Sequence, residues 1–121
     1  MDIPQFFERL IADGAFTSAQ LERGVSARNS VGDTPLHCAV LMQVTPIVHS
    51  LIAAGASPEA AGEFGFTPLH CAACRRNPDI VRALLAAGAD ASALSEWGET
   101  PAALAMARES PEVIEALRGN V

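Results

Sequence analysis

Apolar residues along this chain recur in two helical registers. Ile47, Val48, Leu51 and Ile52 follow an i, i+1, i+4, i+5 spacing. The same stripe returns at Ile80, Val81, Leu84 and Leu85, and again at Val113, Ile114 and Leu117. Such spacing lays one apolar band along a helix. Ahead of the first two stripes runs a shorter pattern, Leu36, Ala39 and Val40, then Leu69, Ala72 and Ala73. These shorter segments open on Thr34-Pro35 and Thr67-Pro68, and Thr100-Pro101 opens a third. A threonine hydroxyl there can accept an orphan backbone N–H as N-cap. Proline at the first helical position gives up a donor the helix would not use. Gly55, Gly88 and Gly119 follow the second helices and are expected to end them as C-cap glycines. Each unit is therefore predicted as helix, tight turn, helix, then an extended turn.

The units keep a fixed period. Gly32-Asp33-Thr34-Pro35-Leu36-His37-Cys38-Ala39 aligns with Gly65-Phe66-Thr67-Pro68-Leu69-His70-Cys71-Ala72, and then with Gly98-Glu99-Thr100-Pro101-Ala102-Ala103-Leu104-Ala105. These three Thr-Pro pairs, at 34, 67 and 100, lie 33 residues apart, as do Gly55 and Gly88. The phrase Leu51-Ile52-Ala53-Ala54-Gly55-Ala56 repeats in step as Leu84-Leu85-Ala86-Ala87-Gly88-Ala89.

Two phrases sharing one register resemble the ankyrin repeat, which has a 33-residue period and a T-P-L-H-x-A phrase. The resemblance covers residues 29–119 most clearly. It implies an all-α solenoid of helix-turn-helix units with extended β-turn tips, stacked so that neighbours bury one continuous core. We expect a single domain over 1–121. Its parts would be a degenerate N-terminal capping repeat (1–28), two full repeats (29–61 and 62–94) and a C-terminal capping repeat (95–121). The first part has no Thr-Pro phrase. It offers an amphipathic helix through Ile3, Phe6, Phe7, Leu10 and Ile11, and a short second helix in 17–23 with Thr17 and Gln20 at capping-box spacing. In the last part Ala102 and Ala103 replace Leu and His, and Glu112, Glu115 and Arg118 make the final helix more polar.

Composition narrows the classes of function. Half the residues are hydrophobic, which excludes a disordered chain. The net charge of −6 argues against a nucleic-acid partner. No apolar run approaches a membrane span, Met1-Asp2-Ile3-Pro4 is acidic where a leader would be basic, and a cytoplasmic protein is expected. Every basic residue is Arg, and Tyr is absent. This bias points to a GC-rich, bacterial coding sequence. The odd count of three Cys reads as reduced thiols.

Candidate chemistry is sparse. His37, Cys38, His70, Cys71 and Cys74 include a C-x-x-C that could hold zinc. The resemblance instead has His37 and His70 bracing the turns between repeats, with Cys38 and Cys71 facing the core. Repeats stacked about 10 Å apart also put a Cys38–Cys71 disulfide out of reach. Cys74, beside Arg75 and Arg76, is expected as an ordinary surface thiol, with activation by the nearby cations as the alternative. His49 has no evident partner, and no Gly-rich phosphate loop occurs. We expect no enzyme activity, no cofactor and no metal.

The resemblance implies binding of another protein through turn tips and the exposed face of each first helix. Those positions are Ser30, Val31 and Asp33; Glu63, Phe64 and Phe66; and Glu96, Trp97 and Glu99. The helix ends add Leu41 and Met42, Cys74 and Arg75, and Ala107 and Arg108. Val31, Phe64 and Trp97 share one register, where tips are ordinarily polar. They suggest an apolar, aromatic contact surface rimmed by Asp33, Glu63, Glu96 and Glu99. The alternative is that the aromatics fold back and seal the stack. The expected partner is a protein with an apolar pocket in a basic surround, bound by a monomer; a homodimer through the tips is the alternative. An immunity protein blocking a toxin and a host-directed effector are narrower versions that the fold does not select.

Overall fold

The computed structural model describes residues 1–119; Asn120 and Val121, the end of the expected C-terminal repeat, lie outside the described residues. Eight α-helices are present and no strand occurs among the described residues: α1 (Ile3–Ala12), α2 (Ser18–Leu21), α3 (Pro35–Leu41), α4 (Thr45–Ala53), α5 (Pro68–Cys74), α6 (Pro78–Ala86), α7 (Pro101–Ala107) and α8 (Pro111–Arg118). Two 3₁₀ turns, Gly24–Ser26 and Glu63–Gly65, lie in the connections. Helices α3, α5 and α7 form one layer and α4, α6 and α8 the other. Between the layers Leu36, Val40, Ile47, Leu51, Leu69, Ile80 and Leu84 are fully buried. This is an ankyrin-type helical solenoid.

The Thr-Pro phrases act as the sequence predicts. Thr34, Thr67 and Thr100 are N-caps whose hydroxyls accept from the backbone N–H of His37, His70 and Ala103. In the first two units the cap extends into a buried network. The Thr34 N–H donates to His37 Nδ1 at 3.1 Å, and the Thr34 hydroxyl lies 2.8 Å from the same nitrogen. That makes Nδ1 an acceptor and places the ring proton on Nε2. Nε2–H then donates to the Phe66 carbonyl, 2.8 Å away in the next tip. His70 repeats this arrangement with Thr67 and the Glu99 carbonyl, also at 2.8 Å. Ala103 ends the series, having no ring to donate onward.

Two second helices end as expected, and α8 and the first-layer helices do not follow the glycine pattern. Gly55 and Gly88 have φ of +97° and +96° and terminate α4 and α6 in Schellman motifs, with Ala56 and Ala89 donating back to Leu51 and Leu84. Gly119 instead caps α8 with right-handed backbone, φ −63°, so left-handed geometry is not what a glycine supplies there. The first-layer helices α3, α5 and α7 end in the same Schellman motif without glycine. Gln43, Arg76 and Glu109 take φ of +58°, +57° and +52°, and Val44, Asn77 and Ser110 donate to Ala39, Ala72 and Ala105.

The N-terminal helix is also placed differently from a simple first helix. α1 packs against α4, in the second-helix layer. Its end, Leu10-Ile11-Ala12-Asp13-Gly14-Ala15, matches Leu51 to Ala56 and closes alike, with Ala15 donating to Leu10 and Gly14 at φ +78°. The offset is 41 residues, and α2 with the first 3₁₀ turn fills the difference. The expected capping box of α2, Thr17 with Gln20, is present. Phe6 and Leu10, one helical turn apart, are buried, whereas Ile11 points about 100° away and is exposed. Phe16 adds a buried ring from the following turn.

Burial holds the His37 pKa below its ordinary value, against the opposing pull of its bond to Phe66 and of Asp33. An unfolded histidine takes up a proton near pH 6.5, and the folded one does so lower. Between those points the unfolded state binds more protons, so stability falls as pH falls. Melting temperature should therefore drop from pH 7.5 to 5.5, by less in a His37→Gln variant. An equal drop in both proteins would show that His37 does not supply the slope.

Candidate functional site

The three tips share a backbone frame. Asn29, Gly62 and Ser95 each donate an N–H to the carbonyl four residues on, at Asp33, Phe66 and Glu99. Their side chains then decide how each tip is held. The Asn29 carbonyl oxygen accepts from the N–H of Val31 and Asp33, and the Ser95 hydroxyl accepts from Trp97 and Glu99. These are side-chain turns that replace backbone bonds.

Gly62 has no side chain to do this. A Cβ there would overlap the Asp33 carboxylate and press on the His37 ring at 2.9 Å. The middle tip is held from outside instead. Asp33 Oδ1 accepts the Glu63 N–H at 2.9 Å, and the Glu96 N–H donates to the Phe64 carbonyl at 3.0 Å. Phe64 consequently adopts left-handed backbone, φ 60° and ψ 20°. A bulky residue in that region costs about 1 kcal/mol or more.

This conformation brings the aromatics together. The Phe64 and Trp97 rings lie 5.1 Å apart. Phe66 stands edge-on to both at 6.2 Å and stacks flat on His70 at 5.4 Å. The rings neither bury themselves nor stand apart as separate anchors: Phe64 remains 47% and Trp97 62% exposed. Beside them is a hollow of about 180 Å³ lined by Asp33, Leu41, Glu63, Phe64, Phe66 and Cys71. Five of these are candidates from the sequence. Cys71 is the addition, missed because its position reads as core, and it is indeed buried.

The remaining candidates do not line this hollow. Val31 is exposed on its own tip, as are Ser30 and Glu96. Met42 is half-buried against the core, and it caps α3 as Arg75 and Arg108 cap α5 and α7. Arg75, Arg76, Ala107 and Arg108 are exposed at the helix ends away from the tips. The face is thus bipolar, acidic at the tips and basic at the helix ends, rather than acid-rimmed throughout. Among the described residues the ion pairs are Arg9–Asp13 and Arg82–Asp79, so neither pole is neutralised by one. Leu94 and Met106, not singled out by the sequence, are exposed apolar residues. Met106 takes the register of the buried Val40 and Ala73 on the outer side of α7.

The thiols are not set up for chemistry. All three are free. Burial pushes Cys38 up to about 11 and Cys71 further in the same direction. Cys74 is half-buried rather than exposed, and burial raises its pKa too; Arg108 opposes the shift and Glu99 adds to it. Desolvation thus outweighs the nearby cations at Cys74. No group of three or more His, Cys, Asp or Glu side chains among the described residues could hold a metal ion, and no helix among them is long and apolar enough to cross a membrane.

A family model described as ankyrin repeats, in three copies, matches residues 5–94 and 43–120. The chain belongs to the ankyrin-repeat family. Members are generally protein–protein interaction modules and typically non-catalytic. A search of curated proteins finds no match.

Because Trp97 is largely exposed, Trp97→Ala should lower unfolding free energy by no more than about 1 kcal/mol in urea titration. Gly62→Ala, which forces a Cβ into Asp33, should cost about 1–3 kcal/mol. The reverse ranking would make the Trp97 ring a structural seal.

Proposed function

We propose that this protein is a non-catalytic recognition module that binds another protein through its tips and first helices. Residues 1–28 and 95–121 serve as the end repeats and 29–94 carry most of the face. Phe64, Phe66 and Trp97 are the anchors. Val31, Leu41 and Met42 extend the apolar surface, and Asp33, Glu63, Glu96 and Glu99 give it an acidic side. Cys74, Arg75 and Arg108 contribute at the far edge. Three free thiols fit a reducing, cytoplasmic setting.

The observation that carries this reading is the exposed aromatic cluster. Three rings in mutual contact, two of them about half or more exposed, form a surface that water solvates poorly. Aromatic residues dominate the energetics of protein interfaces. The strained backbone at Phe64 supports the same reading, since a cost of that kind persists where surrounding structure enforces it and clusters at functional positions. The buried histidine network fixes the tips, so little ordering is required on binding.

The test is affinity capture from source-cell lysate with wild-type protein and a Phe64→Ala, Trp97→Ala double variant. Circular dichroism would confirm that both are folded. Each truncation of an anchor should cost about 2 kcal/mol, about thirtyfold in Kd. A stoichiometric partner should be lost from the variant and weakened at high salt. The same partner held equally by both proteins would place the binding face elsewhere.

A further inference from the structure

We propose that the hollow between the first two tips is a binding pocket for a single arginine side chain presented by the partner. This rests on the reading of the tips and first helices as the binding face and names the chemistry the partner must bring to it.

Size sets the first limit. At about 180 Å³ the hollow is smaller than the roughly 300–1,000 Å³ of small-molecule and cofactor sites. It takes one side chain. The lining sets the second limit. Leu41, Phe64, Phe66 and Cys71 offer apolar surface, which suits a methylene stem. Among the described residues the charged members of the lining are Asp33 and Glu63, and both are acidic. The Glu63 carboxylate has no hydrogen bond or ion pair among the described residues. Asp33 Oδ1 accepts the Glu63 N–H and keeps its charge in place at the junction of the two tips. Arg28 reaches the same two tips but spends its guanidinium on backbone, donating to the carbonyls of Gly32 at 2.8 Å and Ala61 at 2.7 Å, and it is in no ion pair among the described residues. Two carboxylates beside apolar walls are therefore in no ion pair among the described residues.

The cation that fits is arginine rather than lysine. A guanidinium is planar, stacks on aromatic faces and is more weakly hydrated than an ammonium, so it loses less on entering a largely apolar hollow. Phe64 and Phe66 supply the ring faces, and their edge-on packing, with planes 71° apart, presents two differently oriented walls. An uncharged aliphatic side chain would leave the carboxylates unmatched, and an acidic one would be repelled.

The experiment uses ¹⁵N-labelled protein and blocked pentapeptides Gly-Gly-X-Gly-Gly, with X as Arg, Lys, norleucine or Glu. The arginine peptide should produce saturable shifts at millimolar concentration in the amides of Leu41, Glu63, Phe66 and Cys71. The lysine peptide should bind more weakly, norleucine more weakly still, and the glutamate peptide should leave these amides unmoved. Glu63→Gln, which keeps the shape and removes the charge, should weaken arginine binding about two- to fivefold. Equal shifts with norleucine, tighter binding of lysine, or no saturable response to arginine would each overturn the proposal. The two readings separate cleanly. Failure of the peptides while partner capture still depends on Phe64 and Trp97 overturns the arginine pocket alone. Selective arginine binding at these amides supports the pocket whether or not capture succeeds.

Discussion

The structure depends on one buried contact made twice: a threonine cap, a histidine ring and a carbonyl of the next tip. A neutral imidazole with its proton on Nε2 accepts at one nitrogen and donates at the other. His37 uses Nδ1 to complete the start of its own helix and Nε2–H to grip Phe66 in the following unit. His70 does the same toward Glu99. Local helix capping and the stacking of neighbours are therefore set by the same ring. A protonated ring would lose its acceptor, and an alkyl group would leave the buried Thr34 N–H without the acceptor it has in His37 Nδ1. The burial that keeps His37 neutral thus also preserves the contact.

The aromatic face follows from how the tips are closed. Asn29 and Ser95 hold their tips with their own side chains. Gly62 cannot, and the space its Cβ would fill is taken by Asp33 of the preceding tip. The middle tip is consequently bonded to both neighbours, through Asp33 on one side and Glu96 on the other. Phe64 is driven into left-handed backbone, and its ring meets Trp97. Phe66 is fixed from beneath by the histidine that accepts its stacking. The surface is exposed but not loose, because each ring hangs on backbone that the solenoid determines.

Much of the fold was legible in the sequence because its devices are local. The threonines of the repeated Thr-Pro phrases cap their own helices, and the spacing of Leu69, Ala72 and Ala73 needs only the helical period. The left-handed turns at Gln43, Arg76 and Glu109 were not legible, since no glycine marks them and the constraint is the short distance between paired helices. The role of α1 was hidden by an offset of 41 residues rather than 33. At the site, the family resemblance supplied the tips, and the shared register of Val31, Phe64 and Trp97 marked them as apolar. That the rings of Phe64, Phe66 and Trp97 pack together, that Cys71 walls a hollow, and that Cys74 is desolvated are products of three-dimensional packing. So is the separation of acidic tips from Arg75, Arg76 and Arg108, which lie only a helix length away along the chain.

Hydrogen–deuterium exchange of the protein alone and saturated with its captured partner tests the central claim most directly. The account predicts protection concentrated at 30–33, 62–66 and 95–99 and at the exposed sides of α3 and α5, with α4 and α6 unchanged. Protection centred on α4 and α6, with the tips exchanging as in the free protein, would contradict it.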